Sequence, residues 1–356
     1  PVDAIQGGAG TSANMNVNEV IANRALERLG LARGRYDVVH PNDHVNMCQS
    51  TNDVYPSAGR MALSVLLERA ALQMEMLSGA MQAKATRYTD VVKLGRTQLQ
   101  DAVPVRYGQC FQAWAVAFRR DAERLRGAAS DMRALSLGGT AVGTCVNTSK
   151  TYRDKILPTL SRITGMPLRG VDNLMDATQN LDAYVCVSGA LKACAVNMTK
   201  IANDLRLLSS GPCGGLGELK LPPRQNGSSI MPGKVNPVIP EVVDQVAFRV
   251  MGNDTTVTLA AQSGQLELNA FEPVLFSALF ESCEWTEHAA TTLRKYCVDG
   301  LEVDEERCRQ LLQLSASTAT ALSPYIGYAC AAKLAKEAVA THTSVFQLAL
   351  QETSLT

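Results

Sequence analysis

Residues 178–210 read TQNLDAYVCVSGALKACAVNMTKIANDLRLLSS. Within them Leu181, Val185, Ser188, Leu191, Ala195, Met198, Ala202 and Leu205 recur every three or four positions. That period winds one small and apolar stripe along a single helix, suited to packing at a shallow angle against another helix. The neighbouring stretches read the same way. Residues 57–88 (SAGRMALSVLLERAALQMEMLSGAMQAKATRY) contain no proline and, beyond Gly59, only Gly79 as an internal glycine. Residues 105–134 follow Pro104 with the same character, and two more helices are predicted over about 238–264 and 273–297. Each exceeds the ~10–14 residues of an ordinary helix, and ~30 residues make a rod about 45 Å long. Five such rods, rich in Ala, Ser, Gly and Cys and poor in aromatics (5%), predict a mainly α fold. Its centre is an elongated bundle of about five long helices, tightly packed within and between subunits.

Composition narrows the functional classes. The chain has 356 residues, and 34 Lys+Arg balance 34 Asp+Glu. No excess charge recruits nucleic acid or an anionic membrane, and no uninterrupted apolar run is long enough to span a bilayer. The opening PVDAIQGGAGTSANMN has neither a basic n-region nor an apolar h-region, so it is not a signal peptide, and it lacks an initiator Met. The ten cysteines, at 48, 110, 145, 186, 194, 213, 283, 297, 308 and 330, form no CxxC pair. They read as buried reduced thiols, which points to a reducing compartment, the cytoplasm. Of the four His, His40 and His44 share HPNDH without a third ligand nearby, and no metal site is expected.

Five segments interrupt the helical pattern: 6–16, 40–56, 93–104, 136–150 and 211–240, all rich in Gly, Ser, Thr, Asn and Gln. Loops presented by a rigid scaffold carry function. The last of them contains Gly227-Ser228-Ser229-Ile230-Met231-Pro232-Gly233-Lys234-Val235-Asn236-Pro237. Asn236 and Pro237 read as the N-cap and first residue of the next helix. A helix start with Lys234 beside it suits a carboxylate. Beyond 300, EVDEERCRQLLQLS and a second stretch from 327 predict a small helical C-terminal domain.

The segment at 227–236 resembles the signature G-S-S-x-M-P-x-K-x-N of the fumarase/aspartase superfamily at all seven specified positions. Three further blocks resemble that family in order. They are Gly10-Thr11-Ser12-Ala13-Asn14-Met15-Asn16, the run from His40-Pro41-Asn42-Asp43-His44 to Gln49-Ser50-Thr51-Asn52-Asp53, and Gly95-Arg96-Thr97-Gln98-Leu99-Gln100-Asp101-Ala102. Within the superfamily the chain looks like the ammonia-lyase branch. Thr51 stands where fumarases usually carry a second serine. The stretches Asn236-Pro237-Val238-Ile239-Pro240-Glu241, Gly252-Asn253-Asp254-Thr255-Thr256 and Leu268-Asn269-Ala270-Phe271-Glu272-Pro273 are aspartase-like. Gln98 replaces a His common in the superfamily and counts against fumarase, whereas Gly233 is fumarase-like.

The resemblance implies a fold with smaller helical domains at each end of the bundle: 1–43 the remainder of an N-terminal domain, 44–298 the bundle, 299–356 an incomplete C-terminal domain. It also implies material missing at both ends. The activity implied is reversible deamination of L-aspartate to fumarate and ammonia, with fumarate hydratase and a non-catalytic structural homologue as the alternatives. By resemblance Ser228 is the base that removes the Cβ proton, giving an aci-carboxylate. A serine does this only as a stabilised oxyanion. Ser50, Thr51 and Ser229 would hold the β-carboxylate, and Lys234, Asn236 and Thr97 the α-carboxylate. Thr11, Asn52 and Gln98 would cradle the amine, with Glu241 behind Gln98 or the loop. No organic cofactor is implied. The partners implied are the small dicarboxylate and three further copies of the chain, a homotetramer whose subunits share active sites.

Overall fold

The computed structural model describes residues 2–352. Its helices and strands follow in the order α1 (Thr11–Arg28), α2 (Thr51–Arg87), β1 (Val92–Thr97), β2 (Gln100–Arg106), α3 (Tyr107–Asp131), β3 (Ala134–Leu135), α4 (Lys150–Thr164), β4 (Arg169–Gly170), α5 (Leu174–Gln179), α6 (Asp182–Leu208), β5 (Leu219–Lys220), α7 (Val238–Gln262), α8 (Glu272–Leu293), β6 (Glu302–Val303), α9 (Glu305–Leu314), α10 (Ala319–Ile326), α11 (Tyr328–Thr341) and α12 (Val345–Glu352). The fold is mainly α, and the five long helices read from periodicity are α2, α3, α6, α7 and α8. In the α6 stripe every named residue is buried except Val185, which is half-buried. Helix α6 is also, by length and composition alone, apolar enough to cross a membrane, although Lys192 and Lys200 interrupt it; half of the qualifying window is buried within the protein, as in a core helix.

Two boundaries differ from the sequence reading. Helix α2 begins at Thr51, ahead of Pro56, where a loop to residue 56 is expected. Proline removes one helical N–H, yet the start is capped strongly enough to override it, as described below. Residues 93–104 are a β-hairpin rather than irregular loop, β1 pairing antiparallel with β2. Its tip, Gln98-Leu99, lacks the Asn-Gly or Asp-Gly signature of such turns.

Contacts divide the chain into two compact units, and α2, α3, α6, α7 and α8 each contribute to both. Unit 1 comprises 1–74, 120–196 and 245–289. Its core includes Leu63, Leu67, Tyr184, Leu191 and Leu279, with Phe276 edge-on to Tyr55 and Tyr184 and stacked on Phe280. Gly59 is required here, because a Cβ would lie 2.1 Å from the Phe276 ring. Arg60 crosses this core to reach the Tyr184 hydroxyl at 3.2 Å and the Ala134 carbonyl at 3.0 Å, and Glu272 is buried nearby at 6% exposure. Unit 2 comprises 75–119, 197–244 and 290–356. Tyr88, Tyr107, Phe111 and Trp114 form its aromatic cluster, with ring centroids 5.5–6.0 Å apart. Lys84 donates to the Asp299 and Leu301 carbonyls. Ala319, Ala331, Leu334, Val345 and Leu348 make a separate small core among the C-terminal helices.

Candidate active site

In unit 1 the first two polar blocks meet. Gly10 takes a left-handed conformation (φ 89°) before α1, and a Cβ there would strike the Tyr55 ring at 2.7 Å. Thr11 follows, exposed, as the first residue of α1. One turn on, buried Asn14 donates to the Thr51 hydroxyl at 3.0 Å. Asn18 donates to the Asn46 side-chain oxygen at 3.1 Å, so a net of amides joins α1 to the start of α2.

That start is a reciprocal capping box. The Ser50 hydroxyl accepts from the Asn52 N–H at 3.2 Å, and one Asp53 carboxylate oxygen accepts from the Ser50 N–H at 3.0 Å. The other Asp53 oxygen accepts from the Gly138 and Thr140 N–H groups, both at 3.0 Å. Asn52 donates to the Ala141 carbonyl at 2.8 Å. The 136–150 loop, which the sequence marks only as polar, is therefore bonded to the back of the Ser50-Thr51-Asn52 block. Burial pushes the Asp53 carboxyl above the ordinary aspartate range, against the pull of its N–H partners. Ser50 and Thr51 sit where a helix N-terminus presents N–H groups and positive potential, a setting for a carboxylate. Pro56 has no N–H to close on the Asn52 carbonyl.

In unit 2 Thr97 and Gln98 occupy the tip of the hairpin and are exposed. Gln98 and Leu99 both have positive φ, 52° and 62°. A two-residue hairpin turn demands this, but residues with a Cβ adopt it at a cost. A cleft of about 1190 Å³ opens alongside, between Leu99, Asp101 and Val103 of the hairpin and Tyr328, Lys336 and His342 of the C-terminal helices; Ser228 and Lys234 do not line it.

The loop carrying Ser228 closes on itself. The Gly227 N–H donates to the Lys234 carbonyl at 2.8 Å, and the Asn236 side chain donates to the Gly227 carbonyl at 2.9 Å. Gly227 admits this approach because it has no Cβ, which would stand 2.4 Å from the Lys234 carbonyl oxygen. The Ser228 hydroxyl oxygen accepts from the Ile230 N–H at 3.2 Å and the Met231 N–H at 3.1 Å. Ser229 and Lys234 are exposed, and among the described residues Lys234 has no ion pair. Helix α7 begins at Val238, so Asn236 closes the neck of the loop rather than capping the helix. Glu241, in the first turn of α7, is half-buried; burial raises the Asp244 pKa, the Arg206 charge opposes the rise, and the Glu241 charge adds to it. No hydrogen bond joins Thr97 or Gln98 to the Ser228 loop among the described residues. No group of three or more His, Cys, Asp or Glu side chains is placed to hold a metal ion among them.

Sequence reasoning missed Asp53 as the hub of unit 1, although Ser50-x-x-Asp53 is a readable capping signature. It also missed Glu218, a fully buried carboxylate at the root of the Ser228 loop, for which no local pattern exists.

Comparison with known proteins supplies the context. Two family profiles match, one described as Lyase over residues 1–252 and one as Fumarase C C-terminus over residues 319–356. The aspartate ammonia-lyase of Bacillus subtilis (strain 168) is 49% identical over 355 residues, which cover 100% of this chain and 75% of that protein. The aspartate ammonia-lyase of Helicobacter pylori (strain 26695) is 51% identical over 100% of this chain and 76% of its own length. Among solved structures, a fumarate lyase:delta crystallin from Brucella melitensis, bound to cobalt, superposes with a TM-score of 0.97 at 53% identity, covering 100% of this chain and 77% of that one. A class II fumarase from Schistosoma mansoni superposes at 0.94 with 33% identity, covering 99% and 77%. The intact signature at 227–236, the mainly α fold and these relatives agree: the chain belongs to the fumarase/aspartase superfamily of lyases, on its aspartate ammonia-lyase branch of carbon–nitrogen lyases.

Proposed function

We propose that the protein reversibly deaminates L-aspartate to fumarate and ammonia, with Ser228 as the base. The observation that carries this reading is the pair of backbone N–H groups, from Ile230 and Met231, aimed at the Ser228 oxygen. A serine alkoxide needs such donors to exist near neutral pH. Ser228 takes the Cβ proton and its electron pair moves into the β-carboxylate, giving an aci-carboxylate. The pair then returns to form the Cα–Cβ double bond as the Cα–N bond breaks. Because the nitrogen is bound as an ammonium group, it departs as ammonia and needs no further acid.

Ser50 and Thr51 at the α2 start, with Ser229, hold the β-carboxylate where charge develops. Lys234, whose ammonium group has no competing ion pair among the described residues, takes the α-carboxylate with Asn236 and Thr97. Thr11, Asn52 and Gln98 surround the amine, and Glu241 supports the loop. The chemistry requires no organic cofactor. The reading includes a homotetramer in which subunits complete one another's sites. Ten unpaired thiols suit a cytoplasmic enzyme.

Gln98 tests the choice of leaving group. Its amide orients an amine by accepting an N–H but cannot protonate a departing hydroxide, so the protein should deaminate aspartate and leave L-malate untouched. Absorbance in the fumarate band is to be followed with L-aspartate and with L-malate, for the protein and for Gln98→His. The variant should keep part of the aspartate activity, since imidazole also accepts from the amine. Efficient dehydration of malate with little ammonia from aspartate would reverse the reading in favour of a hydratase.

A further inference from the structure

We propose that Glu218 is a positioning residue of this reaction: its buried carboxylate ties the hairpin that carries Thr97 and Gln98 to the segment that launches the Ser228 loop. The proposal rests on the reading of those residues as site groups, and its evidence lies within unit 2. The Glu218 side chain is fully buried and takes three donors. One oxygen accepts from Arg96 at 2.5 Å; the other accepts from Lys93 at 2.7 Å and the Tyr107 hydroxyl at 2.8 Å. Lys93 also lies over the Tyr107 ring, 4.8 Å from its centroid. Burial together with the Glu218 charge pushes the Tyr107 hydroxyl far above the ordinary tyrosine range, so it remains a donor.

Two cations three residues apart on one strand ordinarily face opposite sides of it. Here the pairing shifts between Leu94 and Arg96: Gly95 alone stands opposite Ala102 and Val103, so the extra residue of the bulge lies on β2. Lys93 and Arg96 nonetheless both reach Glu218, so β1 departs from regular alternation beside this bulge. Gly95 is needed for it, since a Cβ there would stand 2.5 Å from the Val103 carbonyl oxygen. The same bulge bends and twists the hairpin just ahead of Thr97 and Gln98.

An isolated two-stranded hairpin is marginal in water. A turn with two non-glycine residues at positive φ persists only where its surroundings dictate it. The Glu218 knot supplies that constraint from one strand, and the Ser315 hydroxyl adds a bond to Asp101 at 2.6 Å from the other. On the opposite side, the Glu218 backbone is fixed in turn. Its N–H donates to the Leu208 carbonyl and its own carbonyl accepts from the Asp304 N–H, both at 2.9 Å. Leu219 and Lys220 then pair with Val303 and Glu302. The chain reaches Ser228 only after this anchored stretch.

The test uses the full chain with Glu218→Gln, Glu218→Asp and Tyr107→Phe. Each variant is measured for kcat and KM on L-aspartate, melting temperature, and amide exchange at Gln98–Asp101. Glu218→Gln should lower kcat per folded site roughly 10- to 100-fold, the scale of a misplacement of about 1 Å, and speed hairpin-tip exchange at least about tenfold while α3 stays protected. Glu218→Asp, which keeps the charge, should recover part of the loss, and Tyr107→Phe, which keeps both ion pairs, should stay within a few-fold of the parent in kcat. If Glu218→Gln does not fold, Glu218→Asp against Tyr107→Phe decides by the same readouts. A lower melting temperature with unchanged kcat, KM and tip exchange would reduce Glu218 to a structural ion pair and overturn the proposal. If the parent protein does not deaminate aspartate, the functional reading fails on that measurement, while tip exchange still decides whether Glu218 sets the hairpin.

Discussion

At the start of α2, Ser50, Thr51 and Asn52 are each engaged: by the capping box, by Asn14 and by the Ala141 carbonyl. In the Ser228 loop, among the described residues, the bonds run only from the loop to itself and Lys234 has no ion pair, and Ile230 is 84% exposed. The first segment is finished before any ligand arrives. The second is a loop closed by its own backbone and Asn236 side-chain bonds, which presents a hydroxyl and, among the described residues, an ammonium group outside any ion pair. Enzymes gain from groups that need no reorganisation at the moment of reaction. The α2 start answers to that description as a proposed binding segment. The loop answers to it only at Ser228, where two N–H groups already face the oxygen.

The largest expected effect breaks the loop side of this contrast. Ser228→Ala removes the acceptor of two loop N–H groups and the proposed base together, and should lower turnover of L-aspartate by about 10²- to 10⁴-fold or more, with the melting temperature almost unchanged. Near-parental production of fumarate would remove Ser228 from the chemistry. Next in size is Lys234→Met. Since the α-carboxylate is charged in substrate and product alike, inhibition by fumarate should weaken by about 1.5–3 kcal/mol. An unchanged fumarate inhibition constant would mean that the Lys234 ammonium group does not meet a carboxylate. The smallest effect on turnover concerns the finished segment. Asp53→Asn places an NH2 group against N–H groups that now share a carboxylate, and should cost about 1–3 kcal/mol of stability while raising KM more than it lowers kcat. A variant that melts like the parent would show that the α2 start does not depend on its bond to the 136–150 loop.

The same contrast separates what was legible in the sequence from what was not. The long helices were legible because their period repeats over many turns, as in the α6 stripe. The Ser228 loop was legible because seven of its residues match one local signature. The α2 start was not, because Pro56 reads as a helix boundary and the cap that outweighs it draws on Gly138 and Thr140, 85 and 87 residues away. The hairpin was hidden by its Gln98-Leu99 tip, where turn chemistry predicts glycine or asparagine. Glu218 lies 122 residues from Arg96 and 111 from Tyr107, and nothing near it in sequence announces a carboxylate with three donors. Asn236 was read as a cap because Asn-Pro commonly opens helices; the bond it makes to Gly227 depends on a loop closure that no spacing rule specifies.

The buried Glu272 beside Arg60 in the aromatic core of unit 1 makes the stability of that unit a function of proton activity. Burial pushes the Glu272 carboxyl up from about 4.5 to about 8, with the Arg60 charge opposing the rise. The folded form therefore retains a proton that the unfolded chain releases near pH 4.5. Its contribution is complete below that pH, is lost as the pH climbs towards about 8, and changes no further above it. The loss is at most about 1.4 kcal/mol per pH unit across that window. Glu272→Gln, which keeps the shape without the titration, should flatten the decline, so that the melting temperatures of variant and parent diverge progressively between pH 5 and pH 8. Parallel melting curves over that range would mean that the core accepts Glu272 in its charged form.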